Sequence, residues 1–175
     1  RIYLTASVSD SNNGSNTSLY SATLSENNLT NLKQLYKATP DSQEERHFGG
    51  SILLKGQYIF FTIGDRGNRD VNPQDINLDG GKIYRINEDG TIPDDNPFID
   101  VDDAKKAIYS YGHRNPQGMF KHPITGEIWT NEHGPKGGDE INIIQKGVNY
   151  GWPEITYGIN YSGTTTVSYT HLTLP

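Results

Sequence analysis

Three times along this 175-residue chain, a short run of β-branched and aromatic residues passes through a polar loop into a second short run that alternates apolar with polar. Ile2-Tyr3-Leu4-Thr5 is followed by Leu19 to Leu24, Ile59-Phe60-Phe61-Thr62 by Lys82 to Ile86, and Ile128-Trp129-Thr130 by Glu140 to Ile144. Alternation suits a strand with one buried face, so each pair predicts two neighbouring strands. The second and third pairs share a lead-in. Gly49 to Leu54 runs into a turn at Gly56, and Gln117 to Phe120 into a turn at Pro123 to Gly126. These lead-ins lie further apart than the ~40–50 residues of common propeller repeats, so long loops are expected between strands. A single small blade cannot cover both of its faces, and stacking blades around an axis solves that problem. Repetition alone leaves open both a propeller and a chance run of generic strands.

The rest of the chain gives helices little room. Asp102 to Tyr109 is the best helical candidate, with acids first and lysines within, although it is short enough to be a loop. The stretches 66–81 and 89–97 are dense in Asn, Asp, Pro and Gly and read as loops. Nineteen glycines and eleven tyrosines fit short strands joined by turns. A net charge of −6 argues against a nucleic-acid partner, which needs clustered Lys and Arg. No run is apolar for long enough to span a bilayer. Zero cysteines exclude disulfides, thiolate zinc sites and iron–sulfur clusters. With Arg1 in place of a start methionine, the sequence is expected to begin inside a longer gene or after processing. Residues 164–175 (TTTVSYTHLTLP) break the style of the chain and are expected to be a non-native tail rather than a terminal strand, leaving 1–163 as one domain.

Several patterns bear on chemistry. Asp75-Ile76-Asn77-Leu78-Asp79-Gly80 opens like a calcium-binding EF-hand loop. Position twelve is Ile86 instead of a glutamate, however, and a strand replaces the exit helix, so an EF-hand is not expected. The dinucleotide, phosphate-loop, zinc-protease and nucleophile-elbow signatures are absent; a redox enzyme with this sequence would need another cofactor. His47 enters a strand and Asp65 leaves the next one, so an antiparallel return brings both to one edge. There an aspartate could fix the imidazole tautomer and free the other nitrogen to take a proton; a surface histidine and a turn aspartate is the competing reading. Gly134 to Glu140 (GPKGGDE) is a tight turn whose carbonyls could serve as hard oxygen ligands, or a plain loop. Arg114, Asn115 and Gln117 cluster around Pro116, where an arginine fork suits carboxylate or quinone oxygens and a blade-edge salt bridge is the alternative.

Taken together, HFGGSILL, FTIGDRG, GKIYRIN, DGTIPDDNPF, YGHRNPQG, EHGPKGGDEINII and NYGWP resemble the soluble pyrroloquinoline-quinone (PQQ) sugar dehydrogenases. The aldose sugar dehydrogenase branch of the glucose/sorbosone dehydrogenase family is the closer match. The motifs run in that family's order from about His47 to Gly163. The resemblance implies an all-β, six-bladed β-propeller, of which about half the blades are present. It implies PQQ and calcium as cofactors, an aldose sugar as substrate, a separate electron acceptor, and a periplasmic or secreted setting. By motif position, His47 resembles the general base and Asp65 the residue that orients it, with Asp139 in support. Arg114 and Asn115 resemble the groups that meet the quinone oxygens, and Gln117 a sugar contact. The carbonyls of Gly134 and Pro135 resemble ligands of the calcium that holds PQQ. Glu140 and the Tyr150 carbonyl resemble ligands of a second, structural calcium. The basic residues of later blades that grip PQQ carboxylates in the family are absent, so this chain alone is expected to be inactive and, with open blade faces and edges, prone to aggregate. A non-enzymatic, calcium-stabilised binding propeller of the same fold is the alternative. The joint presence of His47, Asp65, Arg114, Asn115 and Gln117 favours the enzyme.

Overall fold

The computed structural model describes residues 1–11 and 14–164, so the expectation of a foreign tail falls, Thr164 apart, outside the described residues. Ten strands form three antiparallel sheets, and no α-helix occurs among the described residues. The first sheet is ordered β1 (Ile2–Ser11), β2 (Gly14–Ser25), β3 (Asn28–Lys37). The second is ordered β4 (Ile52–Lys55), β5 (Tyr58–Ile63), β6 (Lys82–Asn87), β7 (Ile108–Tyr111). In the third, β9 (Ile128–Glu132) lies between β8 (Pro116–Lys121) and β10 (Glu140–Ile144). All three predicted run pairs are hydrogen-bonded neighbours: β1 with β2, β5 with β6, and β9 with β10.

The sheets stack face to face as propeller blades, with the second in the middle. Its two faces are both apolar because β5 and β6 send alternate side chains each way. Ile59, Phe61, Ile63, Tyr84 and Ile86 pack towards the first sheet, against Leu19 and Ala38. Phe60 and Ile83 pack the other way, onto Ile128 and Ile144 of the third. Phe61 and Tyr84 stack with ring centroids 4.9 Å apart. Each such side chain contributes about 1.5–3 kcal/mol when fully buried, so the central blade is the core. The outward face of the third sheet carries Phe120, Ile141 and Ile143, all exposed.

Residues 102–109 are not helical. Asp103 takes a left-handed φ of 59°, and Ile108 N–H bonds the carbonyl of Lys105 before the chain enters β7. Ala104, Ala107 and Ile108 are buried. Their burial beside β6 outweighs the local helical preference, which is weak over so few residues. No helix is long and apolar enough to cross a membrane among the described residues.

Candidate active site

At one end of the central blade, the loop before β4, the loop after β5 and the segment between β7 and β8 are tied into one unit. Asp65 N–H donates to the carbonyl of Arg114 (2.8 Å). Gly49 N–H donates to Asn115 Oδ1 (3.0 Å), and Thr62 Oγ1–H to the Pro116 carbonyl (2.8 Å). Gly64 permits this closeness. A Cβ there would overlap the His47 carbonyl oxygen and lie 2.6 Å from Asn115 Oδ1.

His47 and Asp65 meet as the sequence predicted. His47 Nδ1 lies 2.7 Å from Asp65 Oδ1. That oxygen also accepts from Gly67 N–H (2.8 Å), while Oδ2 accepts from the indole N–H of Trp152 (2.9 Å). Asp65 is 1% exposed, so these donors replace its hydration. His47 holds a φ of 56°, an uncommon backbone for a residue with a side chain, and such conformations persist where the surroundings enforce them. Arg66 does the enforcing. Fully buried, it lies 3.5 Å from the Phe48 ring centroid and donates to the carbonyls of Arg46, Glu44 and Ser15. Nε2 of His47 has no partner among the described residues.

His47, Asp65, Arg114, Pro135 and Trp152 line one open cleft of about 430 Å³, with Arg46, Arg69 and residues 160–162 at its rim. Trp152 is the shelf of this cleft. The guanidinium carbon of Arg114 lies 5.5 Å from its ring centroid and that of Arg69 lies 4.7 Å away, both within cation–π range. Arg114 Nη1 also donates to the His133 carbonyl (2.9 Å). Asn115 faces back towards Gly49 beneath the cleft. Gln117 is exposed on β8 and is not among the residues lining the cleft.

The GPKGGDE turn sits beside this cleft. Asp139 does not reach His47; it pairs with His133 Nδ1 (3.1 Å) and accepts from Gly134 N–H (3.0 Å). Those two bonds, the histidine's first, hold its carboxyl below the usual range. Among the described residues, no hydrogen bond reaches the carbonyl oxygens of Gly134, Pro135 or Tyr150. Glu140 accepts a single bond, from Asn142 (3.2 Å). Burial, and then the neighbouring Glu132, push its pKa up. A half-buried carboxylate with spare lone pairs beside a second acid and free carbonyls suits a hard cation. The Tyr150 ring stacks on His113 at 4.6 Å, and Glu132 links that histidine through Asn142 to Glu140. No group of three or more His, Cys, Asp or Glu able to hold a metal occurs among the described residues; a site here would lean on carbonyls.

Sequence reasoning missed Trp152, Arg66, Glu132 and His113. All four stand inside quoted motifs, and no spacing rule marks them. The EF-hand-like stretch is occupied otherwise, since Asp79 accepts from Tyr36 and from Thr39 N–H.

Comparison with known proteins identifies the family and the fold. Residues 1–173 match the family described as Glucose / Sorbosone dehydrogenase. The chain is 48% identical over 136 residues to the aldose sugar dehydrogenase YliI of Escherichia coli K12, covering 77% of this chain and 36% of that protein. It superposes on the soluble aldose sugar dehydrogenase (Asd) of Escherichia coli in the apo-form with a TM-score of 0.89 at 42% identity, over 93% of this chain and 48% of that one. For the PQQ-bound aldose sugar dehydrogenase (Adh) of Streptomyces coelicolor the TM-score is 0.69 at 28% identity, over 93% and 47%. The chain thus spans about half the length of these solved structures.

Proposed function

The chain belongs to the Glucose / Sorbosone dehydrogenase family, and from that premise we propose that its protein is a PQQ-dependent oxidoreductase that converts aldose sugars to lactones. The observation that carries this reading is the convergence of an aspartate-held imidazole and a buried guanidinium on one cleft. Oxidising an anomeric hydroxyl removes one proton and one hydride from the sugar. Asp65 holds Nδ1 of His47, which leaves Nε2 to take the proton, and the carboxylate stabilises the imidazolium that forms. PQQ, when bound, supplies the two-electron acceptor for the hydride and hands the electrons on to a separate acceptor. Arg114, a largely buried cation beside the Trp152 ring, favours an electron-rich oxygen next to it. Asn115 would add an amide contact from beneath the cleft, and Gln117, exposed outside the lining, would meet sugar hydroxyls where the substrate extends past it.

The residues present fit these groups. An open cleft with a flat indole shelf and a guanidinium suits a planar anionic quinone. The free carbonyls of Gly134 and Pro135 would hold a calcium beside it and act with that ion as a polarising charge. Glu140 and the Tyr150 carbonyl would hold a second, structural calcium. Asp139 supports the turn that presents the first pair rather than touching the base. A periplasmic or secreted setting belongs to this reading and fits a chain without cysteine. Catalysis is assigned to the complete set of blades, with the 175 residues alone inactive.

Titrating the complete protein with PQQ and calcium, then adding an aldose and a redox dye, tests the reading. Quinone absorbance on the protein together with dye reduction is the expected result. Binding without turnover would favour a non-enzymatic binding propeller, and absence of both would refute the proposal.

A further inference from the structure

Glu132, the last residue of β9, is 6% exposed. Its carboxylate accepts four hydrogen bonds. Oε2 takes the backbone N–H of Arg114 (2.6 Å) and of Asn115 (3.2 Å). Oε1 takes Asn142 Nδ2 (3.0 Å) and pairs with His113 Nδ1 (2.9 Å), whose other ring nitrogen is held by Ser110 Oγ (3.0 Å). A carboxylate offers about four lone-pair sites, so Glu132 has none left for a metal, unlike its neighbour Glu140. Two consecutive backbone donors on one oxygen fix a peptide segment, here the one carrying the Arg114 and Asn115 side chains. The next residue, His133, holds the Arg114 guanidinium through its carbonyl. The strand end therefore grips Arg114 at both its backbone and its tip.

We infer that Glu132 is a positioning residue which presets Arg114 and Asn115 for their ligand before that ligand arrives. The inference rests on the reading that these two residues meet a quinone, but the arrangement itself is a property of the free chain. Charge-assisted bonds to a buried carboxylate are among the strongest a side chain makes, and preset donors avoid reorganisation on binding.

The test uses the chain carrying Trp129→Phe, so that Trp152 is its only tryptophan, with Glu132→Ala, Glu132→Asp and Glu132→Gln added singly. Amide hydrogen exchange and Trp152 emission are read without cofactor. Alanine, and aspartate with its shorter reach, should speed exchange at Arg114 and Asn115 by about 10- to 100-fold while the β5 amides stay protected. Emission should move to longer wavelength as Arg114 leaves the indole. Glutamine keeps one acceptor oxygen at the two amides and should restore most of the protection. Should alanine fail to fold, the aspartate and glutamine pair decides. Unchanged exchange at 114–115 in the aspartate variant would overturn the inference, as would loss of protection shared equally with β5, which would make Glu132 a general support of the fold. A complete protein that fails to take PQQ would sink the functional reading and leave these exchange results standing.

Discussion

Replacing Asp65 by asparagine separates charge from shape at the centre of the site. The carboxylate accepts His47 Nδ1 and Gly67 N–H on one oxygen and the Trp152 indole on the other. An asparagine can place its carbonyl oxygen towards His47 and Gly67, keeping both bonds. Its amide then faces the indole N–H, donor against donor, at a side chain that is 1% exposed. A buried donor left unpaired costs about 1–3 kcal/mol, and the two surviving bonds lose their charge assistance. A loss of about 2–4 kcal/mol in all lowers the melting temperature of a chain this size by roughly 4–16 °C. Thermal unfolding of the 175-residue chain measures this, with Asp70→Asn as control, since Asp70 is exposed and, among the described residues, pairs with Arg69 alone. The same substitution in the complete protein should cut kcat by about 10²- to 10⁴-fold, because the imidazolium loses its counter-charge while its tautomer survives. An Asp65→Asn chain that melts with the wild type, or a complete variant that turns over at the wild-type rate, would refute the reasoning.

Gly64→Ala should destabilise by about 1–3 kcal/mol, because the new methyl meets the His47 carbonyl and Asn115 rather than a yielding side chain; an unchanged denaturation midpoint would count against the close approach. Lys82 is buried, and burial pushes its pKa down to about 7 against the pull of Asp79 and Asp75. Between that value and 10.5 the unfolded chain holds a proton that the folded chain lacks, so stability should rise with pH across this window and level off at its lower value below it. Urea unfolding at about pH 7 and about pH 10 should show the rise, and Lys82→Met should abolish it. Calcium should raise the melting temperature, by about 2.7 kcal/mol of stabilisation at a hundred times its Kd; Glu140→Gln should shrink that gain, and an identical gain in the variant would remove Glu140 from the site.

The strands that sequence reasoning found are those built from β-branched, aromatic and alternating runs, and they lie in all three sheets. Ile59 to Ile63 and Lys82 to Ile86 carry both cores and could hardly read otherwise. By contrast, β3 was not anticipated, because its first seven residues are exposed and carry no pattern. The short β7 was hidden inside a segment whose acids and lysines imitate a helix. Within the site, His47 with Asp65 was legible from an antiparallel return alone. Asp139 pairs within its own turn, with His133 and the Gly134 amide, a local contact that spacing along the chain does not reveal. Glu132 and Trp152 left no trace in spacing. Their importance comes from contacts across 18 and 87 positions, which only the stacked blades bring together.

The peptide unit of Arg114 receives its restraint from two directions, with its N–H anchored on Glu132 and its carbonyl held by the amide of Asp65. The His47–Asp65 pair and the Arg114 guanidinium therefore share one frame, and neither can be altered without disturbing the other. If the proposed sugar oxidation holds, attempts to broaden or redirect the choice of sugar should leave that frame untouched and work on the outer wall, at Arg69 and the loop 160–162. Shape there can be altered while the reacting groups keep their alignment.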